Sequence, residues 1–116
     1  MPEYMVLLHE DPATTKNYSP TQMQALIQRY AEWINGLRAQ GHATLGKKLT
    51  DEGGRHVRMD KGKMVVSEGP YAEAKDVITG FFVVTAASYE AAQALVAGGP
   101  HYEFGWVELR EVDPVE

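Results

Sequence analysis

The segment ITGFFVVT at residues 78–85 constrains the fold most, because it reads as a strand that is apolar on both faces. Successive side chains of a strand point to opposite faces, so Phe81 and Val83 would share one face, and Phe82 and Val84 the other. The segment YMVLL at residues 4–8 shows the same pattern. Such strands are typically covered on both faces. The pattern therefore indicates a sheet that lies between two apolar layers.

Two amphipathic helices are predicted around these strands. Ser19 can cap the first helix, Pro20 suits its first position, and Gln22 completes a capping box. Apolar residues then recur at spacings of three and four, at Met23, Leu26, Ile27, Tyr30, Ile34 and Leu37. Ser88 can cap a second helix, YEAAQALVA, which ends at a Gly-Gly pair. Both helices present one apolar stripe to a sheet.

The remaining segments complete a recognisable order. HATLGKKL at residues 42–49 predicts a short strand, RHVRMDKGKMVVS at residues 55–67 a hairpin, and EFGWVELREV at residues 103–112 a last strand. Gly80 is expected at a bulge or a point of close approach. The order predicts an α+β fold, a ferredoxin-like β-α-β-β-α-β antiparallel sheet with an inserted hairpin. We expect a single domain over residues 1–116.

Two helices can cover only one face of such a sheet. The second apolar face then needs another cover, and a second copy of the chain packing sheet to sheet is the simplest one. The sequence therefore predicts a homodimer in the form of a dimeric α-β barrel. The alternative is that long loops of the same chain fold over this face.

Composition narrows the classes of partner and location. The chain has 11 Lys and Arg against 16 Asp and Glu, so we expect no nucleic acid partner, because such binding draws on basic residues. No apolar run approaches the roughly 20 residues of a membrane helix, so no membrane partner is expected. Glu3 stands where a secretory signal would be basic, which favours a cytoplasmic location. The absence of nucleotide-binding glycine motifs predicts no cofactor.

Three segments resemble a known family: YMVLL, SEGPYAEAKDVITGFF at residues 67–82, and HYEFGWVELREV at residues 101–112. They resemble the YCII-related family, and more narrowly its branch named for an Asp-Gly-Pro-Phe motif. The resemblance implies a dimeric α-β barrel. In some members a His and Asp pair is suggested as an active site, related barrels include isomerases and dehalogenating lyases, and some members accompany sigma factors. In this chain Glu68 replaces the motif's Asp and Tyr71 replaces its Phe.

His9 and Glu68 are the predicted catalytic residues. His9 ends an inner strand, where side chains line pockets, and a histidine can move protons near neutral pH. Its alternative role is a hydrogen-bonded residue on a rim. Glu68 precedes Gly-Pro, where its carboxylate would either accept backbone N–H bonds of the turn or reach into a cavity as a base or as the orienter of a histidine.

Tyr71, Glu73 and His101 are the predicted binding residues. Tyr71 follows the turn and His101 lies in a loop beside the last strand, so both would shape the pocket. For Glu73, a solvated position or a helix cap is the alternative. A metal site from His9, His101 and a carboxylate lacks any tight local spacing, so we predict none.

These residues predict one of two functions. The first is a cofactor-independent lyase or isomerase that moves a proton on a small molecule, with His9 as acid or base and Glu68 as its carboxylate partner. The second is a non-catalytic dimeric module that binds a small ligand or a regulatory protein. The convergence of His9, Glu68 and His101 at one site is a hypothesis. An enzyme should bring His9 into contact with a carboxylate, whereas a binding module could lose His9 and keep its affinity.

Overall fold

The computed structural model describes residues 1–69 and 76–114 of the chain. Its strands are β1 (Glu3–Glu10), β2 (Ala43–Lys48), β3 (Arg55–Asp60), β4 (Lys63–Glu68), β5 (Val77–Thr85) and β6 (Gly105–Glu111). Its helices are α1 (Pro20–Ala39) and α2 (Tyr89–Val96), with short 3-10 turns at Pro12–Thr15 and His101–Glu103. The elements occur in the predicted order, which confirms the α+β class.

Four strands form the main sheet, in the order β2-β5-β1-β6, and every neighbouring pair is antiparallel. The first strand of the chain is thus an inner strand, as its double apolar pattern predicted. Strands β3 and β4 pair only with each other, as a separate two-stranded sheet. The ferredoxin-like arrangement with an inserted hairpin is confirmed.

Both helices begin at the predicted caps. The Ser19 hydroxyl accepts the backbone N–H of Gln22 at 3.1 Å, and the Gln22 side chain accepts the backbone N–H of Ser19 at 2.8 Å. This reciprocal pair is the predicted capping box. At α2 the Ser88 hydroxyl accepts the backbone N–H of Ala91 at 3.1 Å. Each cap satisfies backbone donors that a helix start otherwise leaves unpaired.

The pairing of β1 with β5 contains an irregularity near the end of β1. Leu8 lies opposite Gly80, but the next residue, His9, lies opposite Ile78, so Thr79 is the extra residue on β5. The sequence predicted a bulge or a point of close approach at Gly80, and the register shift lies directly beside it, at Thr79. Because bulges re-aim side chains, this one is well placed to turn Thr79 toward the end of β1.

One face of the main sheet carries the hydrophobic core. Side chains from the sheet pack there against both helices, and the buried cluster includes Tyr4, Val6, Leu8, Phe82 and Val84 with Leu37, Ala92 and Val96. The alternate residues on β1 and β5, among them Met5, Leu7, Phe81 and Val83, point to the other side, which we call the open face. Both described helices pack on the core face, so the open face is left to a different cover.

The hairpin of β3 and β4 extends from the main sheet. Its side chains are exposed or half-exposed throughout, including the paired residues Val57 with Val66 and Met59 with Met64. Lys61 and Gly62 form its turn, both with positive φ angles of 50° and 79°. No helix among the described residues is long and apolar enough to cross a membrane.

Candidate functional site

His9 lies on the open face, in contact with two residues of β6. Its Nε2 atom is 2.9 Å from the Oε1 atom of Glu108, and its ring stacks on the Trp106 indole with centroids 3.9 Å apart. The Trp106 N–H in turn donates to the Asp76 carboxylate at 2.8 Å. Trp106 stands opposite His9 in the ladder, so the antiparallel register brings the two rings together. His9 is thus held in a His–carboxylate pair.

The carboxylate of that pair is not the one that the sequence suggested. Glu68 ends β4, where it stands opposite Arg55 in the exposed hairpin. Within residues 1–69 and 76–114, no hydrogen bond or ion pair joins Glu68 to His9. Glu108 could have been found from the sequence by placing β6 beside β1. It stands opposite Leu7, two residues from His9, so the Glu108 and His9 side chains share a face.

His101 is completely buried and bonds on both sides of its ring. Its Nε2 atom is 2.7 Å from the His9 backbone carbonyl oxygen, and its Nδ1 atom is 2.7 Å from the Tyr30 hydroxyl. Since a carbonyl oxygen only accepts, Nε2 carries the proton and Nδ1 accepts the Tyr30 O–H. His101 therefore ties the end of β1 to α1. The predicted residues Tyr71 and Glu73 lie outside the described residues.

A cavity of about 440 Å³ lies between α1 and the core face of the sheet. This volume falls in the range that suits small-molecule ligands. Most of the wall is apolar, with Leu8, Met23, Leu26, Ile34 and Phe82 among the lining residues. At Gly46, on the β2 side, an added Cβ would lie 2.8 Å from the Phe82 Cβ, so only glycine allows β2 to approach β5 there. A tight edge strand thus closes one side of the cavity.

The polar part of the cavity wall centres on Glu10. The Thr79 hydroxyl donates to the Glu10 Oε1 atom at 2.7 Å, and Thr79 is 2% exposed. In the described part of the chain, no hydrogen bond reaches the second oxygen, Oε2. The bulge on β5 explains this contact, because Thr79 is the extra residue there. One carboxylate oxygen is therefore fixed, and the other is available to a ligand.

Tyr30 lines the same cavity and stays protonated. Burial raises the pKa of its phenol well above the ordinary value of 10.0, and the negative charge of Glu10 raises the pKa further. The carboxylate and the phenol both line this cavity. Because the Tyr30 hydroxyl donates its hydrogen bond to His101, the phenol oxygen can accept a further hydrogen bond.

Sequence reasoning missed both Glu10 and Tyr30. Glu10 follows His9 directly, so strand alternation places the two side chains on opposite faces, His9 on the open face and Glu10 in the cavity. Tyr30 was counted in the apolar stripe of α1. The signal that could have found it is its hydroxyl, because a tyrosine within such a stripe needs a hydrogen-bond partner when it is buried.

The described residues contain no group of three or more His, Asp or Glu side chains placed to hold a metal ion. The polar residues of the cavity wall are two carboxylates, Glu10 and Asp51, two threonines, the Asn35 amide, the Tyr30 phenol and, toward the edge strand β2, basic side chains. A carboxylate beside a bound molecule can accept a hydrogen bond or a proton from it.

Two comparisons with known proteins gave a match. A model of the YCII-related domain matches residues 2–116. A similar solved structure is 5-chloro-2-hydroxyhydroquinone dehydrochlorinase from Burkholderia phenoliruptrix AC1100 in complex with 2,5-dihydroxybenzoquinone, at 14% identity, with 96% of this chain and 93% of that chain covered and a TM-score of 0.48. A search of curated proteins found no significant match. Since the family model spans almost the whole sequence, the chain belongs to the YCII-related family.

Proposed function

We propose that the protein is a cofactor-independent enzyme of the lyase or isomerase type, which moves a proton on a small molecule bound between α1 and the sheet. Glu10 is the observation that carries the proposal. Its carboxylate lies at the wall of an apolar cavity, with one oxygen held by Thr79 and the other facing no partner among the described residues. A carboxylate that is fixed in this way and still accessible suits a general base.

Hydrogen-bond accounting indicates which ligand group meets Glu10. The Thr79 hydroxyl donates its hydrogen bond to Glu10, and the Tyr30 hydroxyl donates its hydrogen bond to His101. Toward a ligand, both hydroxyl oxygens therefore act as acceptors. The raised pKa of Tyr30 keeps its phenol neutral, which leaves the carboxylate as the base. The matching ligand group is a donor, either a hydroxyl or an acidic C–H next to a carbonyl.

The corresponding reaction begins with proton abstraction. Glu10 takes a proton from the carbon beside a carbonyl, the C–H electron pair becomes the enolate, and the carboxylate becomes a carboxylic acid. Return of that proton to a different carbon completes an isomerisation. Departure of a leaving group with its electron pair completes an elimination instead. Neither route needs a bound cofactor.

The His9–Glu108 pair is a second candidate centre, on the open face. It is the His–carboxylate arrangement that the sequence suggested, with Glu108 in the position expected of Glu68, and Trp106 offers a flat surface beside it. The cavity is favoured because its walls can enclose a small molecule. The pair on the open face lies instead beside Trp106, which is 48% exposed. His9 and Glu10 are neighbours in sequence, so single substitutions can separate the two sites.

The test uses 2-tetralone, a small apolar ketone with acidic C–H groups. Its exchange with solvent deuterium is followed by NMR, with wild-type protein, Glu10→Gln and His9→Ala. We expect wild type to accelerate exchange over buffer, Glu10→Gln to lose the acceleration, and His9→Ala to keep it. Loss in His9→Ala with retention in Glu10→Gln would move the chemistry to the open face.

The same experiment separates the enzyme from the binding module. If wild-type protein binds 2-tetralone, seen as line broadening of the ligand signals, while exchange stays at the buffer rate, the non-catalytic ligand-binding module is the better description. In that case Glu10→Gln should weaken binding without any effect on a reaction rate. The narrower assignment to the Asp-Gly-Pro-Phe branch stays a prediction.

We also propose that the protein forms a homodimer through the open face. Met5, Leu7 and Phe81 place half-buried apolar side chains there, and both described helices lie on the opposite side. A second copy of the same face would remove this surface from water without any further element. Such a dimer would have the form of an α-β barrel with the cavities on its outer layer.

A further inference from the structure

The cavity has an uneven distribution of charge. The whole chain carries a net charge of -5, yet three of its 11 Lys and Arg residues line this cavity, namely Arg38, Lys47 and Lys48. Arg38 comes from α1, and the two lysines come from β2. In the sheet order, β5 separates β2 from β1, the strand of Glu10. The two lysines therefore lie on the edge side of the cavity, together with Asp51, which also lines it, and Glu10 lies on the inner side.

Lys48 and Arg38 differ in their partners. The Lys48 Nζ atom is 2.9 Å from the Asp51 carboxylate and also donates to the Leu49 carbonyl, so its charge is already matched. Across residues 1–69 and 76–114, no carboxylate lies within ion-pair distance of Arg38. Arg38 also follows Asn35 by three residues, so both side chains share one face of α1 and both line the cavity.

An unmatched guanidinium at the edge of an apolar cavity is a binding group for an anion. Its planar donors fit carboxylate and phosphate oxygens two at a time, and a desolvated apolar wall beside it strengthens the bond. The Asn35 amide adds a neutral donor on the same helix face. Within residues 1–69 and 76–114, no side-chain hydrogen bond or ion pair occupies the donors of Arg38 or Asn35.

We infer that the ligand of this cavity carries an anionic group, a carboxylate or a similar oxyanion, which Arg38 binds. The inference rests on the proposed function in so far as the same cavity holds the ligand. Arg38 follows Tyr30 by eight residues along α1, which is about 12 Å along the helix axis, and both residues line the cavity. A ligand that reaches both Glu10 and Arg38 therefore has an apolar body of about two fused rings, with a proton donor at one end and the anion at the other.

The test compares two probes that differ only in charge, 6-hydroxy-2-naphthoate and 6-hydroxy-2-naphthamide. Dissociation constants are measured by fluorescence titration with wild-type protein, Arg38→Gln and Arg38→Lys. Arg29→Gln serves as the matched control, because Arg29 lies on the same helix but pairs with Glu103 and does not line the cavity. Ala31→Phe, which fills part of the cavity, tests where the probes bind.

We expect wild type and Arg29→Gln to bind the carboxylate about tenfold more tightly than the amide, a typical gain for a hydrogen bond to a charged group. Arg38→Gln should bring that ratio close to one, Arg38→Lys should keep part of it, and Ala31→Phe should weaken both probes. Equal binding of the two probes by wild type, or an unchanged ratio in Arg38→Gln, overturns the inference and leaves the proposed proton transfer standing. Failure of both probes to bind overturns the inference together with the ligand-binding cavity.

Discussion

At the scale of single residues, Gly99 is fixed by its contact with the Trp33 indole. A Cβ added at Gly99 would lie 2.5 Å from the Trp33 ring, whereas one at the neighbouring Gly98 would meet nothing within 4 Å. The indole cannot easily move away, because its ring packs edge-on against Phe82 of the core, with centroids 5.3 Å apart. The two glycines therefore differ sharply in what they tolerate.

We predict that Gly99→Ala lowers the free energy of unfolding by about 1–3 kcal/mol, the usual cost of overpacking. Gly98→Ala is the control, and it should change stability much less. Urea unfolding of the two variants beside wild type measures the difference. Equal effects of the two substitutions would mean that the indole yields to the added methyl group.

Tyr30 makes stability depend on pH in the alkaline range. The pKa of its phenol is raised in the folded protein, so the stability that the protonated phenol contributes is complete below the unfolded value of about 10 and is lost as the pH rises above it. We predict that wild type loses stability more steeply than Tyr30→Phe between about pH 10 and pH 11. Thermal unfolding at several pH values measures this.

Other tyrosines do not affect the comparison of wild type with Tyr30→Phe. Burial also raises the pKa values of Tyr4 and Tyr102. Both residues are present in wild type and in Tyr30→Phe, so their contributions cancel. Parallel curves for the two proteins would show that Tyr30 titrates as an ordinary exposed phenol.

At the scale of elements, the hairpin differs from the main sheet. Strands β3 and β4 pair only with each other and leave most of their side chains exposed, while β1 is paired on both sides and covered by the helices. Isolated two-stranded sheets are marginal in water. We predict that backbone amides of β3 and β4 exchange with deuterium much faster than those of β1 and β5, as measured by mass spectrometry. Protection of all four strands to the same degree would contradict this.

Periodicity and turn chemistry predicted most of these elements from the sequence. The capping box at Ser19, the hairpin turn at Lys61 and Gly62, and the register shift at Gly80 all depend on a few neighbouring residues, which a single sequence displays. The candidate site is different, because its contacts join residues far apart in the chain. Glu10 meets Thr79, and Tyr30 meets His101, only after the strands and α1 have taken their places.

The site also depends on orientation within an element. The sequence pointed to His9 at the end of β1, but the cavity residue is the next one, Glu10. The residue that faces the cavity is decided by strand alternation together with the bulge on β5, and an error of one position changes the face. The pairing of His9 with Glu108 likewise required the position of β6, which the order of elements alone did not give.

At the scale of the whole molecule, the open face decides how the chain assembles. We predict that Leu7→Glu weakens the proposed dimer by about 100-fold or more, because the new charge would be buried beside Glu108, which lies opposite residue 7 in the ladder. Ala25→Glu, on the exposed surface of α1, is the control and should leave the dimer intact. Analytical ultracentrifugation over a range of concentrations measures both. A wild-type protein that sediments as a monomer at micromolar concentration would contradict the dimer.

The hydrogen bond from His101 to the carbonyl of His9 has a consequence for any such assembly. The same imidazole accepts a hydrogen bond from the Tyr30 hydroxyl, so it connects the end of β1 to the wall of the cavity. A contact that moves the His9 ring on the open face would also move the His9 peptide, whose carbonyl oxygen bonds to His101. A displacement of the His9 peptide would therefore reach Tyr30 at the cavity wall, because one imidazole bonds to both residues.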